Sequence, residues 1–165
     1  MSAQDFEKIY NKYKDFLFKI AFTYVKNQHD AEDILQEVFT ARLYKAPVFD
    51  SDEHEKRWLI RVTVNISKNY LKSFWQRNTD SLEESDIDIP WEIDSVKREL
   101  LEEVLSLPDK CKAPVYLHYY AGYTCKEIGQ MLGCRESAIK MRLKKGRELL
   151  KISLPDGGFY GTERI

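Results

Sequence analysis

Apolar positions recur along most of this chain at intervals of three and four, the period of an α-helix with one buried face. Phe6, Ile9, Tyr10, Tyr13, Leu17, Ile20 and Tyr24 predict a first helix over residues 4–26. Asn27-Gln-His-Asp interrupts that pattern and offers an N-terminal cap. Ile34, Leu35, Val38 and Phe39 predict a second helix over residues 31–45, ended by Pro47. After a loop at Phe49-Asp-Ser-Asp-Glu-His, a long helix covers residues 53–77, with Leu59, Val62, Ile66 and Tyr70 as its inner stripe. These three helices suffice for one compact domain. Residues 78–94 are acidic, aperiodic and interrupted by Pro90, which reads as a linker. Helical period resumes at Ser95, with Val96, Leu100, Val104 and Leu107 on one face and Pro108 as the stop. A further helix runs through Val115-Tyr-Leu-His-Tyr-Tyr, where Pro114 is tolerated only in the first turn or as a kink.

The segment from Gly122 to Leu143 predicts a helix, a tight turn and a second helix. Thr124 and Glu127 have capping-box spacing, the hydroxyl accepting from a first-turn amide while the carboxylate reaches back. Ile128 and Leu132 give the short helix a buried edge, and Gly133 supplies the left-handed residue at its end. In the second helix Ile139, Leu143, Gly146 and Leu150 share an inner face, with Gly146 allowing close backbone approach. Lys140, Lys144, Arg147 and Lys151 follow the same spacing on another face, an electrostatic footprint for phosphate. A basic helix alone is commonly just a solvated surface; the capped helix and glycine turn before it favour a DNA reader. Cys134 falls where a Ser, Thr or Asp cap is preferred, so the first turn of that helix is expected to be poorly capped.

A second polar stripe lies on the long helix of the first domain. Arg57, Arg61, Asn65, Lys68 and Lys72 follow at spacings of four, four, three and four. Trp58, Tyr70, Phe74 and Trp75 interleave with these cations. Cations along a backbone with aromatic faces beside them are the means of gripping unpaired nucleic acid, although core packing accounts for some of the rings, Tyr70 particularly. Asn65 can read a base edge, and the loop before Trp58 can wall a pocket for a flipped base. The second helix presents Asp33, Gln36, Glu37 and Thr40 outward with no local positive balance, which reads as solubility or as a docking face for a basic protein.

Acids and bases nearly cancel, 27 against 26 for a net charge of −1, but they are unevenly placed. Asp80, Glu83, Glu84, Asp86, Asp88, Glu92 and Asp94 crowd the linker against only Arg77 and Lys97. Local field governs binding, so the average does not exclude a polyanionic partner. No apolar run approaches a membrane span and the N-terminus lacks a signal peptide's pattern, so no membrane insertion and a cytoplasmic location are expected. Cys111, Cys125 and Cys134 have neither an even count nor metal spacing, and are expected to be free thiols. His29, His54 and His118 are scattered without carboxylate or thiol at catalytic spacing, so neither enzymatic activity, a metal nor a cofactor is expected.

These motifs, in this order, resemble the extracytoplasmic-function (ECF) group of bacterial RNA polymerase sigma factors, the smallest branch of the sigma-70 family. The resemblance runs from about residue 5 to residue 152. Asp30-Ala-Glu-Asp-Ile-Leu-Gln-Glu-Val-Phe is similar to the family's polymerase-docking helix, which implies that Asp33, Gln36 and Glu37 meet the coiled coil of the beta-prime subunit. Trp58-Leu-Ile-Arg-Val-Thr-Val-Asn-Ile-Ser-Lys-Asn-Tyr-Leu resembles the helix that recognises and melts the minus-ten element, with Asn65 lining the pocket of a flipped non-template base. Leu105-Ser-Leu-Pro, Gly122-Tyr-Thr-Cys-Lys-Glu-Ile-Gly and Ala138-Ile-Lys-Met-Arg-Leu-Lys-Lys-Gly-Arg resemble the minus-thirty-five domain. There the family implies Lys140, Met141, Lys144 and Lys145 in the major groove and Lys112 near backbone phosphate.

The implied architecture is all-α: a sigma region 2-like domain over residues 4–77, an acidic linker over 78–94, a sigma region 4-like helix-turn-helix domain over 95–152, and a tail over 153–165. The implied partners are core polymerase through the beta-prime coiled coil and the beta flap, promoter DNA, and an anti-sigma factor. The chain departs from the pattern in its acidic loop before Trp58 (Asp50, Asp52, Glu53, Glu55) and in Cys134, Arg135 and Glu136 at the start of the recognition helix. The tail has no counterpart in the family. The alternatives are a stand-alone helix-turn-helix regulator, which leaves Gln36, Glu37 and the Arg57–Lys72 stripe unused, and a helical adaptor whose stripes are merely solvated.

Overall fold

A computed structural model describes residues 1–77 and 95–150, and every regular element among them is helical. The acidic linker residues, Lys151 and the tail lie outside the described residues, as do the side chains of Trp75, Arg77, Ser95, Val96, Lys97, Glu99 and Leu100, so the inner face expected for Val96 and Leu100 is not among them. The chain divides into two compact units, Met1–Asp88 and Ile89–Ile165.

In the first unit, α1 (Ala3–Val25), α2 (Gln28–Lys45) and α3 (Asp52–Arg77) each pack on the other two. Local chemistry sets the ends. The Ser2 hydroxyl accepts from the Asp5 amide, and Lys26 takes the left-handed conformation (φ 61°) that stops α1. The Asn27 side chain caps α2 by accepting from the Asp30 amide, so this helix begins three residues before the position its apolar spacing predicts. Leu17, Ile20, Phe22, Ile34, Val38, Leu59 and Ile60 are fully buried between the three.

The inner face of α3 differs from the expected stripe. Leu59 is buried, but Val62, Ile66 and Tyr70 are only half-buried, while Ile60, Thr63, Val64 and Ser67 line the core. Thr63 donates its hydroxyl to the Leu59 carbonyl (2.8 Å) and Ser67 donates to Thr63 (2.7 Å), so neither is a lost hydrogen bond inside. Small satisfied hydroxyls thus take positions that hydrophobicity alone assigns elsewhere. Tyr70 instead donates its hydroxyl to the Asp30 carboxylate of α2.

The second unit comprises α4 (Ser95–Leu105), α5 (Asp109–Val115), a π-helical turn (Tyr116–Tyr120), α6 (Cys125–Leu132) and α7 (Glu136–Leu149). Pro114 stands beyond the first turn of α5, where it withholds an amide from the helical ladder. The backbone then widens: Ala121 donates to the Tyr116 carbonyl (3.3 Å) and Tyr123 to that of Leu117 (3.1 Å). α7 packs against both α5 and α6. A Cβ on Gly146 would stand 2.6 Å from Val115 Cγ2, confirming the close approach expected there.

Candidate nucleic-acid interface

The helix-turn-helix is built from local signals. The Thr124 hydroxyl accepts from the Glu127 amide (3.1 Å), and Gly133, at φ 69°, ends α6. α7 then buries Ile139, Leu143 and Gly146, and Leu150 caps its end. Lys140, Met141, Lys144 and Lys145 are all exposed, and Met141 keeps 73% of its surface. An apolar thioether standing that far out, flanked by three ammonium groups, suits a groove floor bordered by phosphates. Lys140 lies 3.3 Å from Glu136, an exposed pair that is easily exchanged for phosphate.

Two residues of this domain depart from the expected arrangement. Lys112 was expected near backbone phosphate, but its side chain is 2% exposed and its ammonium lies 3.3 Å from the Asp109 carboxylate. Every residue of α5 from Cys111 to Val115 is buried, so Lys112 is enclosed with its neighbours, which sequence spacing could not show. The cap of α7 is Arg135, one residue beyond Cys134, and it supplies no side-chain bond, so the helix is weakly capped but at a different residue. Cys134 receives a hydrogen bond from Arg142 Nη1 at 3.3 Å. Arg147, in the expected cation row, donates to the Tyr119 hydroxyl (3.1 Å) and so ties α7 to the domain's aromatic core.

On α3, Arg61, Asn65, Lys68 and Lys72 are exposed, while Arg57 is half-buried and held by Glu53 (3.1 Å). Trp58 is half-buried, with its ring meeting Phe49 edge-on at 5.6 Å. Beside them the loop before α3 shapes an open hollow of about 430 Å³, bordered by Arg42, Pro47, Val48, Phe49, Asp50, Ser51, Asp52 and Glu55. Asn65 is not part of that lining.

Most of the acidity of this loop is paired in place. Asp50 faces His54 (3.0 Å), Asp52 faces Lys12 (2.7 Å), Glu53 faces Arg57 (3.1 Å) and Glu55 faces Arg42 (2.6 Å). The hydrogen bond to Asp52 also raises the Lys12 ammonium above its ordinary pKa. Asp52, Glu53 and Glu55 each have a Lys or Arg within a few ångströms, so most of the repulsion that the loop would offer a polyanion is offset in place. Sequence inspection missed Lys12 and Arg42, since Lys12 is separated from its partner by 40 residues.

On α2, Asp33, Gln36, Glu37 and Thr40 are exposed, and Ile34, Leu35, Val38 and Phe39 are buried on the opposite side. At one end of the patch His29 Nδ1 lies 3.4 Å from Asp33, a partner that carries positive charge only when protonated. A hydrogen bond to its own main chain, and then the Asp33 charge, raise the His29 pKa. Among the described residues, no cluster of His, Cys, Asp or Glu could hold a metal ion. None of the described helices is long and apolar enough to cross a membrane.

Comparison with known proteins matches both units. Residues 9–77 match Sigma-70 region 2, and residues 97–150 match Sigma-70, region 4. The ECF RNA polymerase sigma factor SigW of Bacillus subtilis is 25% identical over 170 residues, covering 92% of this chain and 89% of that protein. The RNA polymerase sigma factor SigV of the same organism is 28% identical over 145 residues, 86% of each chain. The fold is shared with the sigma factor RpoE of Bartonella quintana, solved in complex with the anti-sigma factor NepR. That structure superposes at a TM-score of 0.75 with 19% identity, over 90% of this chain and 96% of its own. The chain therefore belongs to the sigma-70 family. Within that family it is an RNA polymerase sigma factor of the ECF type.

Proposed function

We propose that this sigma factor divides its work among three faces of the two units. The outer side of α2, through Asp33, Gln36 and Glu37, docks on the beta-prime coiled coil of core polymerase. The region 4-like domain (95–152) meets the beta flap and anchors the minus-thirty-five element, with Lys140, Met141, Lys144 and Lys145 in the major groove. α3 of the region 2-like domain (4–77) captures the opened minus-ten strand, Arg57, Arg61, Lys68 and Lys72 following the backbone while Trp58 and Asn65 meet bases. The hollow beside Phe49 is of a size and composition to receive an extruded base. Extruding a base costs a few kcal/mol of stacking, which phosphate and pocket contacts offset. Residues 78–94 tether the two units, so each contact raises the effective concentration of the other. The polymerase carries the chemistry, and the sigma factor supplies binding and positioning, in the cytoplasm with its polymerase. An anti-sigma factor, as in the Bartonella complex, is the expected regulator.

The observation that carries this reading is the pair of cation rows, Arg61, Lys68 and Lys72 on α3 and Lys140, Lys144 and Lys145 on α7, exposed while the other side of each helix is buried. A stand-alone DNA-binding regulator would need only the row on α7. The test is run-off transcription with core polymerase on a genomic promoter library, beside gel shifts with and without core. Promoter-specific transcripts that require both proteins are the expected result. Tight specific binding without core, and no transcripts with it, would overturn the reading.

A further inference from the structure

Arg42 joins three elements that serve different parts of the proposed function. It lies near the end of α2, whose earlier turns carry Asp33, Gln36 and Glu37 outward. Its Nε lies 2.6 Å from Glu55 Oε1 in the first turn of α3, and the two side chains are only 14% and 11% exposed. The guanidinium carbon also sits 4.9 Å from the centre of the Phe49 ring, within cation–π distance. Phe49 in turn meets Trp58 edge-on.

The loop between α2 and α3 is tied at its far end through Asp50 and Ser51 to His54 and through Asp52 to Lys12 and Tyr13, whereas its middle is held chiefly by Phe49. From residue 46 to residue 52, only Ala46 and Phe49 are half-buried, and Val48 keeps 95% of its surface. The ring of Phe49 is thus the loop's apolar anchor, and Arg42 is the cation against it. A largely buried ion pair is a poor source of stability, because apolar residues of similar volume commonly serve the fold as well or better. Its physical value here is geometric: one planar guanidinium fixes both the start of α3 and the ring that borders the hollow.

We propose that Arg42 is a positioning residue for strand capture, holding Phe49 and the loop over the hollow while remaining outside the polymerase-docking face. This rests on the reading of α3 and its loop as the strand-capturing site. Arg42→Met removes the planar cation but keeps an apolar stem. Arg42→Met combined with Glu55→Leu removes the whole pair, leaves no uncompensated charge, and is expected to fold at least as stably as the parent.

The probe is a fluorescein-labelled single strand spanning the opened region of a promoter recovered by run-off transcription, bound by holoenzyme. Core affinity is measured in parallel. Both variants are expected to bind the strand about tenfold more weakly, the scale of a misplaced positioning group, with core affinity within about twofold of the parent. Strand binding equal to the parent in the double variant would overturn the proposal. So would a loss of core affinity in step with strand binding, since that describes a loosened domain. Failure of the unsubstituted holoenzyme to bind the strand would instead refute the assignment of the capture site.

Discussion

Gly129 and Cys134 clasp the turn of the helix-turn-helix from both sides. The Cys134 amide donates to the Gly129 carbonyl at 2.9 Å, and a Cβ placed on Gly129 would stand 2.7 Å from the Cys134 carbonyl oxygen. The obstructing atom belongs to the backbone, so relief requires the turn itself to move. Gly129→Ala is therefore expected to destabilise the second domain by about 1–3 kcal/mol, the range of overpacked interiors. Denaturant unfolding monitored by circular dichroism measures this. Stability equal to the parent would show that the turn yields easily.

Lys140 and Lys144 on one hand, and Lys112 on the other, should give opposite signatures. Lys140→Ala with Lys144→Ala is expected to weaken promoter binding and to flatten its salt dependence by about one unit of log–log slope per lost phosphate contact. Both residues are exposed, so stability should hold. Lys112→Ala, at a buried site, is expected to cost about 1–3 kcal/mol of stability through lost packing of its stem, and to leave the slope unchanged. A salt titration of holoenzyme binding, with a thermal melt beside it, decides both. A slope lowered by Lys112→Ala would return that residue to the phosphate-contacting set.

Gln36→Ala with Glu37→Ala tests the docking face. Both side chains are exposed on α2, opposite the buried Ile34, Leu35, Val38 and Phe39. The melting curve should stay unchanged, with surface effects within about 0.5 kcal/mol. Association with core polymerase should weaken by about tenfold or more if these groups sit at the centre of the contact. Undiminished co-purification with core enzyme would remove α2 from the docking role.

The cysteines offer a pH-dependent check on the packing of the second domain. Burial pushes the Cys111 thiol pKa up, an effect that the charges of Lys145 and Arg142 only partly oppose. A raised pKa leaves less thiolate at any given pH, and the thiolate is the nucleophile. Near pH 8, iodoacetamide should therefore label the half-exposed Cys125 and Cys134 first, with Cys111 slower by about tenfold or more and accelerating as pH rises. Mass spectrometry of partial digests reads the order of labelling. Labelling of Cys111 as fast as the others would mean that its site opens freely.

Much of this protein is legible one segment at a time. The period of Ile34, Leu35, Val38 and Phe39, the caps at Asn27 and Thr124, and the glycine stop at Gly133 each depend on neighbours within about a helical turn. The exposed cations on α3 and α7 follow from the same period, because once one face of a helix is buried the opposite face is fixed. Tertiary packing decided what the period left open. It turned the side of α3 that carries Thr63 and Ser67 toward the core, where carbonyls of their own helix satisfy the hydroxyls, and it buried Lys112 on α5. It paired Glu55 with Arg42 from 13 residues away and Asp52 with Lys12 from 40, offsetting much of the loop's negative charge. Hydrophobic period is a property of a single helix, whereas charge compensation and the depth of a side chain depend on which other helix lies against it.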